Sequence, residues 1–244
     1  MNPVKDSSSS RFSEPFELKL SGREVIVRLS ALRQLVGHRG MMAILRRAGL
    51  TESITTMLVN NLEKTFCYET FQQIVAAVKD IYGERGYRAL AYRSGKNSFE
   101  AVFASLPTVK AAKEQLESMK DERLRLHLAV QTLAEAMEAT SYQRVEVSLR
   151  GTSATMQVDY CFECWDHPLI HEPMCYGLVG NTRGALAYLL KTDEYLVREV
   201  HCSAAGDNCC ELEIKLPPEA MRMGNQGQTG FLSLPPELRE GLDD

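Results

Sequence analysis

The chain has 244 residues, of which 44% are hydrophobic and 25% are charged, and its formal net charge is −4 at pH 7. These values are typical of a globular protein with one core, and the acidic balance gives no general electrostatic attraction to nucleic acid, so no nucleic-acid partner is expected. No apolar run reaches the length of a membrane-spanning helix and the N-terminus MNPVKDSSSS has no apolar signal region, which predicts a cytoplasmic protein.

The first 66 residues divide into a polar segment and a structured unit. Residues 1–14 are rich in serine and predict disorder. In FELKL-SG-REVIVRL, hydrophobic and polar residues alternate on both sides of Ser21-Gly22, which predicts a β-hairpin. Ser30 is then the predicted N-cap of the next helix. We therefore expect an N-terminal unit over residues 15–66 that consists of a hairpin and helices.

Helical spacing continues to residue 140. The longest helix is predicted within residues 109–140, where hydrophobic side chains from Leu116 to Met137 recur in steps of three and four. Such a stripe predicts the face of the helix that packs against the core. The alternative is that part of the stripe lines a ligand cavity.

From residue 143 the hydrophobic period changes to two. RVEVSLRGTSATMQVDYCF predicts two strands, and YLVREVHC and CCELEIKL predict a second pair joined by SAAGDN. A helix is predicted between the pairs, from about Met174 to Lys191. This order of elements predicts an α+β fold in which an antiparallel sheet is packed with helices. Residues 217–244 predict a polar linker and a C-terminal tail.

Six of the seven cysteines lie in the last hundred residues, and a reducing cytoplasm favours metal binding over disulfides for them. Cys202 and Cys210 flank a short turn between strands that can bring their thiols together. Glu199 lies three residues before Cys202, and Cys175 lies at the start of the preceding helix. These four residues form the predicted metal site. Four protein ligands leave no open position on zinc, which predicts a structural ion.

Two other interpretations of the cysteines remain open. Cys161-Phe-Glu-Cys164 is a CxxC pair, a frequent half of a zinc site, and with Cys202 and Cys210 it would make an all-cysteine alternative. The thiols can also be buried without any metal, since cysteine is among the most buried residue types.

MCYGLVGNTRGALAYLL and EVHCSAAGDNCCELEI resemble the 4-vinyl-reductase domain, also called the hydrocarbon-binding domain. The clear match covers about residues 140–216, and a weaker match through YGERGYRALAYRSGKNSF extends it to a ligand-binding domain over 67–216. The resemblance implies a fold similar to a subunit of the TRAPP tethering complex, with an apolar pocket. It also implies a zinc ion bordering that pocket, held at Cys175, Glu199, Cys202 and Cys210.

The layout of the chain is similar to the stand-alone cyanobacterial members that are associated with photosystem II assembly. That resemblance implies a non-enzymatic, zinc-containing protein that binds a hydrophobic small molecule, plausibly a tetrapyrrole such as chlorophyll or a precursor. It further implies a homodimer, or a heterodimer with a related protein, photosystem assembly proteins as partners, and a peripheral position at the thylakoid membrane. The candidate pocket residues are Leu126, Val130, Leu133, Gly180, Gly184, His167 and His171.

Several of these residues also have a simpler interpretation. The two histidines could be axial ligands of a tetrapyrrole metal, although such histidines are more often surface or loop residues. The two glycines lie in a helical segment, where small residues permit close packing.

Two further functions are alternatives. A reductase acting on a tetrapyrrole vinyl group would need a hydride donor, but no GxGxxG motif follows a predicted strand, so the balance is against an enzyme. A scaffold with a vestigial pocket would bind protein partners through its surface, and the tail at 217–244 suits such docking.

Overall fold

A computed structural model describes residues 17–51, 53–150, 153–167 and 172–216. The helices are α1 (Gly22–Arg47), α2 (Ser53–Met57), α3 (Tyr68–Phe103), α4 (Pro107–Ser118), α5 (Glu122–Thr140) and α6 (Tyr176–Leu190). The strands are β1 (Lys19–Ser21), β2 (Lys64–Cys67), β3 (Arg144–Arg150), β4 (Ser153–Asp159), β5 (Leu196–His201) and β6 (Cys210–Lys215). The predicted disordered N-terminus and the predicted tail from residue 217 lie outside the described residues.

The hairpin predicted around Ser21-Gly22 is wrong, because a long helix begins there. Ser21 is the N-cap of α1, and its hydroxyl accepts a hydrogen bond from the Glu24 N–H at 3.2 Å. Serine followed three residues later by glutamate is a capping-box pattern, which outweighs the alternation of the following residues. Val25 and Leu29 are one helical turn apart and are both buried. The short strand β1 pairs instead with β2. In this pairing Ser21 faces Lys64, which lies 43 positions later in the sequence.

The single long helix predicted within 109–140 is also wrong, because the chain breaks between α4 and α5. Met119 is extended, with ψ 132°, and so ends the first helix. Asp121 then caps the second helix, and its Oδ1 accepts hydrogen bonds from the N–H groups of Arg123 and Leu124. A carboxylate at this position both supplies an acceptor and complements the positive end of the helix dipole. The longest helix is α3, with 36 residues.

The two longest helices are bent by the same backbone conformation. Gly37 in α1 has φ 73° and ψ 172°, and Gly83 in α3 has φ 70° and ψ 174°. This region is favourable for glycine and strained for other residues. The two bends lie near each other, since a Cβ on Gly40 would be 2.7 Å from the Tyr82 Oη.

Helix α6 packs directly on the backbone of α3. A Cβ at Gly180 would lie 2.1 Å from the carbonyl oxygen of Tyr92, and one at Gly184 would lie 2.4 Å from that of Lys96. No side chain fits at either position, so the glycines set the distance between the helices. The interpretation of these glycines as packing residues agrees with this geometry.

The remaining strands form an antiparallel sheet with the order β3-β4-β6-β5. Central strand β4 pairs with β6 so that Val158 faces Cys210. Both predicted strand pairs are present, and with the helices they confirm the α+β class. The hydrophobic core is continuous from Leu18 to Ile214 and so includes residues on both sides of the predicted boundary at 66/67. That boundary stays a prediction. Among the described residues, no helix combines the length and the apolar character needed to cross a membrane.

Candidate metal centre and adjacent cavity

Five cysteine thiols converge at the end of the sheet nearest the start of α6. Cys161 and Cys164 lie in the turns after β4, Cys175 directly precedes α6, Cys202 follows β5, and Cys210 begins β6. All five are buried. The Sγ atom of Cys175 lies 3.6 Å from that of Cys161, 3.9 Å from that of Cys202 and 3.7 Å from that of Cys210. Cys164 Sγ lies 3.3 Å from Cys210 Sγ. These separations exceed a disulfide bond of about 2.05 Å, so the thiols are free.

A tight turn brings Cys202 against Cys210. The turn contains a short 3-10 segment and Gly206 at φ 98°, a conformation that favours glycine. Asp207 Oδ2 accepts a hydrogen bond from the Cys202 N–H at 2.8 Å and closes the turn. The Ser203 N–H points at Cys210 Sγ, 3.5 Å away. Cys209 is half-exposed and lies outside the cluster, as the alternation of side chains along a strand predicts.

Glu199 reaches the cluster because β5 is irregular. The pairing register shifts between Glu199 and His201. In a regular strand, residues three apart point to opposite faces, and one inserted residue restores them to the same face. Glu199 Oε2 accepts a hydrogen bond from the Cys175 N–H at 2.8 Å, while Oε1 is buried and has no hydrogen-bond partner among the described residues. Burial, followed by the charges of Cys202 and Cys210, raises the pKa of Glu199 to about 10.

The cluster contains two overlapping groups of four possible metal ligands. Within each group, one ligand atom per residue lies within 4.8 Å of all the others. Tetrahedral zinc with Zn–S bonds of about 2.3 Å separates its sulfurs by about 3.8 Å, close to the distances observed. The groups are Cys175, Glu199, Cys202 and Cys210, and Cys161, Cys164, Cys175 and Cys210.

The first group is the predicted site, and the structure brings all four of its residues together. The second group contains the predicted CxxC pair, but its third thiol belongs to Cys175 and not to Cys202. Metal binding at either group stays a prediction.

The thiols perturb one another strongly in the absence of a cation. Hydrogen bonding, first from Cys164 and then from Cys175, lowers the pKa of Cys202 to about 6. Hydrogen bonding with Cys161 is the main reason that the pKa of Cys175 lies well above its ordinary value. The buried thiols therefore influence one another's ionisation.

A cavity of about 60 Å³ lies beside the cluster, between α1, α3 and the start of α6. Its polar lining consists of Arg28, Ser94 and Glu163. Glu163 stands between Cys161 and Cys164 in the sequence and so joins the cavity to the cluster. The apolar lining consists of Leu29, Leu32, Phe71, Ile74, Val75, Val78, Tyr87, Leu90, Ala91 and Gly177.

A buried ion network lies at the polar end of the cavity. Arg28 Nε lies 2.5 Å from Glu24 Oε1, and one Arg28 Nη lies 3.1 Å from Glu163 Oε1. The guanidinium also lies over the Phe162 ring, 4.8 Å from its centroid. Burial raises the pKa of Glu163, and the charge of Arg28 opposes this shift. A Cβ at Gly177 would lie 2.3 Å from Glu163 Oε1, so only glycine leaves room for the carboxylate.

The two oxygens of Glu163 differ in their hydrogen bonding. Glu163 Oε2 is buried and makes no hydrogen bond of good geometry within the described residues. The N–H groups of Gly177 and Leu178 lie close enough to lower the pKa of this carboxyl in part. A hydrogen-bond donor in the cavity would satisfy this oxygen.

Sequence patterns did not identify this network. Arg28 lies in the stretch REVIVRL, which the alternation of hydrophobic and polar residues assigned to a strand of the predicted hairpin. The capping box at Ser21 and Glu24 was the available signal, since it places Glu24 and Arg28 one helical turn apart on the same face.

The predicted pocket residues lie elsewhere. Leu126, Val130 and Leu133 are buried in the core on α5. His167 Nε2 lies 3.3 Å from Lys79 Nζ, and His171 is outside the described residues. None of the predicted pocket residues that the structure describes lines the cavity between α1 and α3. Their assignment to a ligand pocket stays a prediction.

Comparison with known proteins gives a fold but no family. No family model matches the chain, and no curated protein matches it. A doubly substituted H-NOX protein labelled Tt is 17% identical over 82% of this chain and 96% of its own, with a TM-score of 0.51. An H-NOX protein from S. oneidensis is 12% identical over 82% of this chain and 100% of its own, with a TM-score of 0.48. The phenol-responsive sensory domain of the transcription activator PoxR, solved with phenol, is 18% identical over 63% of this chain and 77% of its own, with a TM-score of 0.43.

The first of these structures, together with the lack of a matching family model, contradicts the 4-vinyl-reductase assignment, including its stand-alone cyanobacterial type. The chain has the H-NOX fold at low sequence identity, and no model of the predicted family matches it. The residues behind the resemblance are glycines that allow close helix packing and a cysteine-rich turn. Both features serve local geometry, which explains why they did not identify the family.

Proposed function

We propose that the chain is a binding module for a small, mostly apolar molecule that carries a hydrogen-bond donor. The cavity between α1 and α3 would hold the apolar part, and Glu163 would accept the hydrogen bond. The observation that carries this proposal is Glu163, which lines a mostly apolar cavity and whose buried Oε2 lacks a well-formed hydrogen bond among the described residues. Cavities of this composition, with few polar groups, are typical of small-molecule sites.

The size of the cavity favours a ligand no larger than a single ring. An apolar cavity of about 150 Å³ can hold benzene, whereas this one measures about 60 Å³. A single ring therefore requires the lining side chains to move outward. The tetrapyrrole predicted from the sequence is the larger candidate of the same apolar class. It would require α1 to separate from α3, which is why we propose the smaller ligand.

We also propose that zinc binds Cys175, Glu199, Cys202 and Cys210. The donor set suits zinc, and Glu199 Oε1, which has no hydrogen-bond partner among the described residues, is an oxygen that a cation would satisfy. With four protein ligands, the ion would be structural and would fasten the start of α6 to β5 and β6. The role in photosystem assembly was implied only by the family resemblance, which the comparisons contradict.

The ligand proposal is tested by calorimetric titration of the full chain with phenol and with toluene, which differ mainly in the hydroxyl donor. We expect phenol to bind and toluene to bind about tenfold more weakly or not at all, because a hydrogen bond to a charged group contributes about 1.5–3 kcal/mol. Equal affinities, or no binding of either compound, would contradict the proposal.

Two matched substitutions on α3 locate the site. Ala91→Leu adds three carbon atoms to a residue that lines the cavity, and we expect it to abolish phenol binding. Ala101→Leu makes the same change at an exposed position of the helix and should leave binding unchanged. If both variants bind phenol like the wild type, the ligand lies outside this cavity.

A further inference from the structure

We infer that the cysteine cluster binds two divalent metal ions that share Cys175 and Cys210 as bridging ligands. The two four-ligand groups differ in two members each and have these two thiols in common. Two tetrahedra that share an edge need six ligands, two bridging and four terminal. The cluster supplies this number, with Cys161 and Cys164 on one ion and Glu199 and Cys202 on the other.

The distances fit bridging roles for the two shared thiols. Cys175 Sγ is 3.6 Å from Cys161 on one side and 3.9 Å from Cys202 on the other. The two shared sulfurs are 3.7 Å apart, close to the edge of a zinc tetrahedron at about 3.8 Å. Cys210 is also 3.3 Å from Cys164, so each shared thiol contacts a member of the CxxC pair.

A single ion would leave half of the cluster unused. With one ion on the Glu199 group, the thiols of Cys161 and Cys164 would remain buried, 2% and 4% exposed, in contact with bound thiolates. With one ion on the other group, the buried Glu199 Oε1 would still lack a partner among the described residues. Two ions use every one of these ligands.

Charge balance is compatible with this arrangement. Five thiolates and one carboxylate carry six negative charges, of which two divalent cations would neutralise four. The Ser203 N–H, which points at Cys210 Sγ, stabilises part of the remaining charge. Thiolate-rich tetrahedral sites suit zinc among the common divalent ions. The inference includes the zinc proposed above for the Glu199 group, but it is independent of ligand binding in the cavity.

The test is metal content per chain, measured by native mass spectrometry and elemental analysis on the full chain purified under reducing conditions. We expect two zinc ions. One zinc ion would overturn the inference and leave the structural zinc proposal intact. No zinc would overturn both, and iron together with acid-labile sulfide would overturn both as well.

Variants assign each ion to its ligands. Cys161→Ser combined with Cys164→Ser should reduce the zinc content from two ions to one, and so should Glu199→Gln combined with Cys202→Ser. Cys175→Ser should lose both ions. The control Cys209→Ser alters the neighbouring cysteine outside both groups and should retain two. Retention of two ions by the first double variant would overturn the inference.

Cadmium-113 NMR on the wild-type chain tests the inference where a variant does not fold. Two resonances are expected, one from a site with four sulfur ligands and one from a site with three sulfurs and one oxygen. Coupling between the two cadmium nuclei would report the shared thiolates. A single resonance at saturating cadmium would overturn the inference.

Discussion

The cysteine cluster and the cavity beside it are both buried and both polar at one end, but they are assembled in opposite ways. All six cluster ligands lie between Cys161 and Cys210, within about fifty residues of sequence. The cavity combines residues from Arg28 to Gly177, on three helices and in the turn that contains Glu163. A site built from nearby residues can be recognised by spacing. A site built from distant helices can be recognised only once their packing is known.

The largest expected effect separates the roles of the two regions. Cys210→Ser removes a ligand common to both groups and should lower the free energy of unfolding by an amount on the order of 5 kcal/mol or abolish folding. The reason is that structural zinc contributes about 10–16 kcal/mol in small domains. Urea unfolding followed by circular dichroism measures this. Cys209→Ser is the control, and an equal loss in both variants would contradict a special role for the cluster.

The next prediction concerns the ion network of the cavity. Arg28→Met leaves Glu24 and Glu163 buried without their cation, which should cost about 3–5 kcal/mol of unfolding free energy. The variant should retain its zinc while phenol binding is lost. Arg33→Met changes the same residue type at an exposed position of α1 and should have little effect. Loss of zinc together with stability in Arg28→Met would show that the two regions are not separable.

A smaller effect is expected for a substitution that tests whether the packing of α6 on α3 links the cysteine cluster to the cavity. Gly180→Ala places a methyl group where the Tyr92 carbonyl oxygen lies, so α6 must move away from α3. We expect a loss of about 1–3 kcal/mol, as for other overpacking substitutions. Because α6 begins beside the cluster and borders the cavity, phenol affinity should also fall. Thermal unfolding and titration measure the two effects, and unchanged values for both would argue that the helices tolerate separation.

The smallest expected effect concerns the start of α1, the helix that carries Glu24 and Arg28 of the buried ion network. Ser21→Ala removes the N-cap and should cost about 1 kcal/mol. Ser30→Ala, at the N-cap position expected from the sequence, is exposed in the middle of the helix and should change stability by a few tenths of a kcal/mol at most. Chemical denaturation of the pair measures the difference. The reverse order would indicate that the helix starts near residue 30.

The sequence predictions were more accurate for the cysteine cluster than for the cavity. The spacing of Glu199, Cys202 and Cys210 predicted that these residues meet, because a short turn constrains them. It did not predict that Cys175 and Cys210 belong to two groups, since that depends on the path of the chain after β4. Nor did it predict the bulge in β5 that turns Glu199 toward Cys202, because no residue type there requires one.

The fold class was predictable, but the N-terminal part was not. Alternating residues after Ser21 suggested a strand, and only the serine and glutamate of the capping box indicated a helix. Once α1 is a helix, Arg28 faces inward and meets Glu163, 135 positions later in the chain. Local pattern carries no information on a contact of that range, so the cavity escaped prediction.

The bend at Gly83 determines which side chains before and after it on α3 face the cavity. An unbroken α-helix turns about 100° per residue, so Val75 and Ala91 would be rotated by about 160° from each other and would point in nearly opposite directions. Both nevertheless line one cavity. The bend at this glycine thus rotates the second half of α3 by almost half a turn relative to the first. Side chains that would lie on opposite faces of a straight helix therefore line the same cavity.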